Sequence, residues 1–373
     1  MKKILSLTIL AVFFITLFNL ECAKQKEEIK IGWIGVLSGD AAYYGMMVQK
    51  GTMLAVEEIN RKGGIKGRKI KVIYEDDQLT PRLGVSALKK LINVDKVPVV
   101  IQAAGSSVML AEAPIAEKNK VVLISPTVSN YKIKEAGDYV FRIWPSDAYQ
   151  GKVLADFVKK SLKNTKVAVA AINNDYGIGL KDAFIDRFMK INGKVLQTEV
   201  FDPGSTDFHT IINKLKKIRP PVVFLASHYR ESALFLKQAK EVEFNSIFIG
   251  GDGNFAPDLI KLSGGAAEGM YVSNLHWDPS SKKPIIANFV KSFKDTFHQE
   301  PEVYAAAGYD CLCVVAKAIE MGGYTSEGIK NALYKIKDFQ GVTGTITFDK
   351  WGEVSGRYDI FQVRNGQFIK LKR

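Results

Sequence analysis

Short apolar runs alternate with amphipathic segments along most of this chain, and the rhythm occurs twice. In the first half the runs are IKIGWIGVL, KIKVIYEDD, 97–102 and 121–124; after FRIWPSD they are KVAVAAI, KVLQTEVF, PVVFLAS and SIFIGG. The runs at 97–102 and 121–124 are rich in Val and Ile and do not alternate with polar residues, as expected for strands covered by helices on both faces. Such alternation predicts parallel sheets with right-handed crossovers.

Each of the two series of alternating segments is long enough to form its own lobe, because a chain of 373 residues, 47% of them apolar, can fill two hydrophobic cores. We therefore predict an α/β protein of two Rossmann-like lobes, each with a parallel central sheet. Segments 283–298 and 303–321 have helical spacing, and the chain from Gly344 onwards is typical of a terminal β-meander. No long low-complexity linker separates the halves, so short crossings that suit a hinge must join the lobes.

The first residues are typical of a secretory signal. Two lysines precede an apolar run over residues 4–18, which is short for a membrane span. Residues 1–21 are therefore predicted to be a signal peptide. Cys22 follows directly and resembles the acylated cysteine of a bacterial lipoprotein, although the three residues before it depart from the usual lipobox. We favour lipid attachment at Cys22 over ordinary cleavage nearby, because no other cysteine lies near the end of the signal.

The formal net charge of +13 does not indicate a nucleic-acid partner. The densest basic clusters, KLKKIRPP and SSKKP, have no interleaved aromatic residues, so they are typical of a solvated surface. Sequence motifs for common enzyme chemistry are also missing: there is no GxxxxGK[ST], GxSxG, HExxH or CxxC pattern, and the chain has only four histidines. We therefore expect no catalytic residues, no metal and no cofactor.

Hydroxyl side chains follow two successive strands of the first half. Ser106 and Ser107 come after the strand at 97–102 and open a helix, and Thr127 and Ser129 come after the next strand. Ligands of open parallel sheets bind at the carboxyl ends of strands, where free helix amides and hydroxyl donors together can hold an anion such as a carboxylate. The alternative for Ser106 or Ser129 alone is a helix or turn cap; two adjacent loops of the same chemistry favour a site.

The second half offers complementary groups at its own strand ends. Asp252 follows the strand in FIGGDGNF, among glycines that let the backbone approach a ligand closely and leave its carboxylate free to face an ammonium. The alternative for Asp252 is a turn-stabilising role. Tyr176 and the pair His228 and Tyr229 also lie at predicted strand ends. The residues thus describe a cleft with anion donors on one side and a carboxylate with aromatic rings on the other.

Several motifs occur together in the order and spacing of one known family. They are IGVLSGDAAYYG, GGIKGRKIKVIYEDDQLTP, LISPTVSN, FRIWPSDAYQG, NNDYGIGL, FIGGDG and YDCLCVVAKAI. From Ile29 to its end the chain resembles the type I periplasmic binding proteins of the leucine/isoleucine/valine-binding group, the substrate receptors of branched-chain amino acid ABC importers. As a set the motifs are specific for fold and broad function, and less so for the ligand.

The resemblance implies roles for nine residues. By motif, Ser106, Thr127 and Ser129 would hold the α-carboxylate of the ligand and part of its ammonium. Asp252 would pair with the ammonium. The side-chain pocket would be lined by Tyr44, Gly105, Tyr176, His228 and Tyr304.

Three of these positions depart from the family pattern, which commonly has Glu at Asp252, an aromatic residue at His228 and Ala at Thr127. A shorter acid reaches less far, and an imidazole makes the pocket more polar. The positions that match the family's first-lobe disulfide are Leu79 and Gly105, so that bridge is absent. The resemblance thus implies an amino-acid ligand but leaves its side chain open, and relatives on the same frame bind amides, urea or aromatic acids.

The resemblance also implies a mode of action. The ligand would enter an open cleft, be held first by the first lobe and be buried when the hinge closes, and a membrane permease would recognise the closed form. Crossings are expected near 142–146, 274–278 and 344–348. The first lobe would then comprise residues 28–143 and 276–343, and the second lobe residues 144–275 and 344–373.

Expected partners follow from this mode of action. They are a small-molecule ligand, ABC permease subunits and, through a lipid on Cys22, the membrane; we expect a monomer that is exported to the periplasm or anchored on the extracytoplasmic side, and no nucleic-acid partner. A second hypothesis is a sensory receptor that uses the same cleft. A third is an enzyme, which would need a nucleophile or general base that the sequence does not reveal.

Overall fold

The structure is a computed structural model that describes residues 27–372. The predicted signal peptide over 1–21 and the predicted lipidation site Cys22 lie outside this range. Within the described residues, no helix combines the length and apolar character needed to cross a membrane.

Strands and helices alternate along residues 27–372, as the sequence predicts. The strands, numbered in chain order, are β1 Ile29–Gly35, β2 Ile70–Asp76, β3 Val99–Gln102, β4 Val122–Ser125, β5 Val140–Arg142, β6 Lys166–Ile172, β7 Lys194–Phe201, β8 Val222–Ala226, β9 Ile247–Gly250, β10 Tyr271–Leu275, β11 Phe339–Gln340, β12 Thr345–Ile346, β13 Tyr358–Arg364 and β14 Gln367–Lys370. The helices are α1 Ala42–Arg61, α2 Pro81–Asn93, α3 Ser106–Asn119, α4 Asp147–Lys160, α5 Asp175–Lys190, α6 His209–Ile218, α7 Tyr229–Glu241, α8 Pro257–Leu262, α9 Pro284–Phe297, α10 Val303–Gly322 and α11 Ser326–Lys335. Short 3₁₀ segments span Tyr131–Glu135 and Asp252–Asn254.

The first lobe is built on a five-stranded sheet in the order β2-β1-β3-β4-β5. All of its neighbouring pairs are parallel. Strands β3 and β4 are buried along their whole length, which fits sequences that are apolar up to their last residues, Gln102 and Ser125. Helix α2 begins with Pro81, which fits the first helical position because no amide donor is needed there. The late helices α9 and α10 return to this lobe and pack on α1.

The second lobe has a seven-stranded sheet in the order β14-β13-β10-β9-β8-β6-β7. Its strands from β6 to β10 are parallel, which confirms the two-lobed α/β prediction, but β13 and β14 add an antiparallel edge. Asn365 and Gly366 form the tight turn between β13 and β14, and both have positive φ, as this kind of hairpin requires. The predicted terminal meander is therefore only this hairpin, because β12 pairs with β11 instead.

Three segments cross between the lobes. Residues 143–146 connect β5 to α4, and residues 276–283 connect β10 to α9. The third crossing lies after Phe348, somewhat beyond the expected 344–348, because β12 still pairs with β11 and the Phe348 ring packs edge-on against Phe141 of β5. The direction in which successive strands are added to the sheet reverses between β1 and β3 in the first sheet and between β6 and β8 in the second. Loops at these points form the crevice in which open sheets bind ligands.

Candidate functional site

All nine predicted site residues line one cavity of about 50 Å³ between the lobes, which we call the inner cavity. From the first lobe come Tyr44, Gly105, Ser106, Thr127, Ser129 and Tyr304, which we call the first wall. From the second lobe come Tyr176, His228 and Asp252, together with Gly253, which we call the second wall. Their roles toward a ligand stay predictions. The strand-end positions of Ser106, Thr127, Ser129, Tyr176, His228 and Asp252 predicted that these residues meet, whereas Tyr44 and Tyr304, which lie on helices, came from the resemblance alone.

The first wall presents hydroxyls and helix amides. Ser106 opens α3 after Gly105, and no side chain caps this helix, so its first amides are free to bind an anion. Gly105 has φ +100°, a conformation that other residues rarely adopt, and a Cβ there would lie 2.8 Å from Leu79 Cδ1. Thr127 Oγ1 donates to the carbonyl of Ala103 at 2.6 Å, which leaves that oxygen as an acceptor toward the cavity. Helix amides for an anion and a hydroxyl acceptor for a cation thus lie side by side.

Asp252 is the acidic group of the second wall and is 4% exposed. Its Oδ1 accepts from Tyr176 Oη at 2.8 Å and from Gly253 N at 2.9 Å, and its Oδ2 accepts from Trp144 Nε1 at 2.9 Å. Burial raises the pKa of Asp252, and these donors oppose that rise. Two of the partners come from distant parts of the chain, so the side chain does more than stabilise its own turn. Oδ2 keeps one acceptor position for a cationic donor.

The hydroxyls of the three tyrosines that line the inner cavity form hydrogen bonds with other groups of the protein. Tyr44 Oη donates to the carbonyl of Gly253, and Tyr304 Oη donates to the carbonyl of Asp252 at 2.7 Å. Tyr176 Oη donates to Asp252 and accepts from Gly253 N at 2.8 Å. Tyr44 and Tyr304 therefore link the two walls, while their rings provide apolar surface.

Direct contacts across the mouth hold the lobes together. Ser107 Oγ donates to Asp175 Oδ2 at 2.8 Å and accepts from Asp175 N at 2.9 Å. On another side, Tyr229 Oη donates to the carbonyl of Asp40 at 2.7 Å, and Arg230 pairs with the Asp40 carboxylate. A larger outer cleft of about 870 Å³ adjoins the inner cavity and shares Leu79, Gly105, Ser106, Tyr176 and His228 with it. The arrangement is that of a closed cleft over a small internal site.

Several residues of the site were not predicted from the sequence. For Trp144, which lies in an expected crossing, the sequence left open whether it covers the cleft or packs between the lobes; it is fully buried, stacks on Tyr304 with ring centroids 5.6 Å apart, and donates to Asp252. Asp147 begins α4 and is fully buried beside the same group; burial and the charge of Asp252 raise its pKa well above the usual range. The only available signal for both was the segment WPSD directly after an apolar strand. Leu79, which occupies one of the two positions of the family's absent disulfide, also lines the inner cavity.

The described residues provide no obvious place for a metal. Across 27–372, no three His, Cys, Asp or Glu side chains come together in a way that could hold a metal ion. The acidic pair Asp76 and Asp77 serves local structure: Asp76 accepts from Leu37 N at 2.9 Å, and Asp77 accepts from Leu79 N at 2.7 Å and Gln102 Nε2 at 3.0 Å. The carboxylates of this pair are therefore occupied by donors of the first lobe.

Known proteins resemble this chain over nearly its whole length. Residues 28–367 match the profile of a family described as periplasmic binding protein. The Leu/Ile/Val-binding protein homolog 3 of Brucella melitensis is 30% identical over 349 residues, which are 92% of this chain and 94% of that protein. The crystal structure of the leucine binding protein LivK from Thermotoga maritima has a TM-score of 0.88 at 29% identity, and the match covers 92% of this chain and 98% of LivK. The branched-chain amino acid transporter substrate binding protein LivJ from Streptococcus pneumoniae, solved with isoleucine, has a TM-score of 0.85 at 29% identity, covering 93% of this chain and 100% of LivJ.

Proposed function

Because the chain belongs to the periplasmic binding protein family, we propose that it is the extracytoplasmic substrate-binding component of an ABC importer and binds an amino acid in the inner cavity. One observation carries this proposal: free helix amides and hydroxyls line the first wall, and the buried Asp252 carboxylate lies on the second. A zwitterion with adjacent carboxylate and ammonium complements that pattern. LivJ binds isoleucine and LivK is a leucine binding protein, which favours an amino acid of the branched-chain type or a relative of it.

In the proposed complex, the first wall binds the carboxylate of the ligand and shares its ammonium with the second wall. Ser106 and the first amides of α3 hold the α-carboxylate. Thr127 Oγ1, whose own proton is donated to Ala103, accepts from the ammonium together with Asp252. Ser129 lies beside them in the inner cavity, and the aromatic rings of both walls surround the ligand side chain.

Closure about the three crossings completes the site in this proposal. The ligand first binds the first wall while the cleft is open. When the cleft closes, the second wall brings Asp252 to the ligand, and Tyr44 and Tyr304 of the first wall form their hydrogen bonds to the second wall. Only the closed state makes the full set of contacts, so the ligand shifts the population toward it. The permease partner would dock on that closed form. The chain would release its ligand unchanged, without turnover.

Thermal unfolding of the protein lacking residues 1–21 tests the proposal. The ligands are the 20 L-amino acids, their D-enantiomers, simple amides, urea and benzoate. A cognate ligand at 1,000 times its Kd stabilises the fold by about 4 kcal/mol, which raises Tm by several degrees. We expect a rise with a group of related L-amino acids and none with their D-enantiomers. A rise only with amides or plain carboxylic acids would show that Asp252 does not hold an ammonium.

We also propose export, with a lipid on Cys22 and a monomeric chain outside the cytoplasm. Mass spectrometry of the protein from membranes should show an acylated N-terminal cysteine, and Cys22→Ala should move the protein from the membrane to the soluble extracytoplasmic fraction. Scattering of the chain lacking its signal should give the mass of one copy. An unmodified N-terminus beyond residue 22 would overturn the anchor while leaving the binding proposal intact.

A further inference from the structure

His228 lines the inner cavity, and one nitrogen of its ring has no hydrogen-bond partner among the described residues. The hydroxyls of Tyr44, Tyr176 and Tyr304 all donate to protein groups. The ring of His228 lies between two of these residues: it stacks on Tyr176 with centroids 5.1 Å apart and an interplanar angle of 12°, and it lies 5.8 Å from Tyr44. These rings fix its orientation, so its two nitrogens point in defined directions.

The neighbouring Asn174 determines which nitrogen of His228 carries the proton. Asn174 Oδ1 accepts from Gly177 N at 2.8 Å and thereby caps α5. Its Nδ2 must therefore be the group that faces His228 Nε2, 3.3 Å away. An amide nitrogen only donates, so Nε2 accepts and the proton of a neutral imidazole is on Nδ1. Burial lowers the pKa of His228, which favours this neutral form.

Nδ1–H is thus a shielded donor without a partner. The Nδ1 atom is buried, and none of the residues from 27 to 372 accepts a hydrogen bond from it. The nearest acidic residue on the same helix, Glu231, accepts from Gly204 N at 3.2 Å. Buried donors in native proteins almost always have an acceptor, so an unpaired donor in a residue that lines a ligand cavity points to an acceptor supplied by the ligand.

We propose that His228 Nδ1–H donates to an oxygen in the side chain of the bound amino acid. The protein then selects ligands with a hydroxyl or amide side chain over aliphatic ligands of the same shape. This inference rests on the proposed function, because it assumes an amino acid in the inner cavity, and it names the class of side chain that the cavity accepts. An aliphatic side chain would leave the donor unpaired, which is the discrimination that polar pockets achieve best.

Calorimetric titration with two near-isosteric ligand pairs tests this selection. Threonine has a hydroxyl where valine has a methyl group, and asparagine has an amide where leucine has two methyl groups. We expect the oxygen-bearing member of at least one pair to bind at least about tenfold more tightly. In His228→Phe, which keeps a stacking ring but lacks the donor, that preference should fall to unity or invert. His209→Phe, at an exposed histidine paired with Asp207, is the matched control and should keep it.

The outcomes separate this inference from the proposed function. Valine and leucine binding as tightly as threonine and asparagine would overturn the role of His228 and leave the proposed function standing. Absence of binding by every amino acid would overturn both. If His228→Phe does not fold, ¹⁵N-histidine spectra of the unaltered protein decide: threonine or asparagine, but not valine or leucine, should slow exchange of the Nδ1 proton. A proton found on Nε2 would also contradict the inference.

Discussion

The first wall of the inner cavity contributes hydroxyls and helix amides but no charged side chain, whereas the second wall contributes the carboxylate of Asp252. Gly105, Ser106, Thr127 and Ser129 of the first wall follow β3 and β4, and α3 supplies the amides. Asp252 is instead held by hydrogen bonds from Trp144 and Tyr176. In the proposed mode of action this difference corresponds to two roles: the first wall binds the ligand in the open state, and the second wall makes binding tight after closure.

Replacing Asp252 should have the largest effect on affinity. Removing one partner of a buried charge pair costs about 2–5 kcal/mol, so Asp252→Ala should weaken binding of an α-amino acid at least about 30-fold. A ligand that lacks the ammonium should lose little. Calorimetry checks both, with Asp186→Ala on the exposed face of α5 as the control. Unchanged affinity for the amino acid would show that Asp252 does not contact the ligand, and the proposed charge difference between the walls would then be wrong.

Ser106 provides the corresponding test of the first wall. Its hydroxyl is expected to donate to the carboxylate, and a hydrogen bond to a charged group contributes about 1.5 kcal/mol or more. Ser106→Ala should therefore weaken binding about tenfold, less than the loss at Asp252 because the helix amides remain. Ser86→Ala on α2 is exposed and serves as the control. The comparison between walls fails if Ser106→Ala costs as much as Asp252→Ala.

Closure itself is tested at Ser107, which does not line the inner cavity. Its two hydrogen bonds with Asp175 join the lobes, and each such bond contributes about 1 kcal/mol. Ser107→Ala should raise the dissociation rate several-fold, by the same factor for every ligand, and leave ligand preference unchanged. Stopped-flow measurement of dissociation checks this. An effect that depends on ligand identity would place Ser107 in the binding site instead.

Local rules predicted the parts of the molecule that depend on neighbouring residues. The short apolar runs predicted parallel sheets. The hydroxyls after β3 and β4 were predicted to lie close together, because strand ends in such sheets converge at one edge. The predicted family is confirmed by the match over residues 28–367. The helices expected at 283–298 and 303–321 are present as α9 and α10, with ends that differ by one residue.

Features that depend on distant contacts were not predictable in this way. The bond between Trp144 and Asp252 joins residues 108 positions apart, and no local pattern contains it. Strand β10 has polar residues in its centre, Ser273 and Asn274, that the second lobe buries, so its sequence lacks the apolar run of its neighbours. The tautomer of His228 follows from Asn174, which is adjacent only after folding. Packing between segments far apart in the sequence decides such details, and sequence periodicity carries no information about it.

Asp147 should give the smallest effect and tests how many charges the second wall carries. Two fully buried carboxyl groups, Asp147 and Asp252, lie near one guanidinium, Arg142, which already bonds Glu353 and the carbonyl of Asn130. Burial and the charge of Asp252 raise the pKa of Asp147 well above its usual range, while a hydrogen bond from Ser129 and the charge of Arg142 oppose that rise. We therefore predict that Asp147 is neutral in the closed site and leaves Asp252 as the single negative charge. Asn has nearly the shape of a protonated Asp, so Asp147→Asn should keep affinity for an amino acid within about twofold.

Titration at pH 7 with Asp147→Asn and Asp252→Asn side by side checks this, because only the second substitution removes a charge. A loss of tenfold or more in Asp147→Asn would mean that both carboxylates are ionised and share the ammonium, and the second wall would then carry two charges against none on the first.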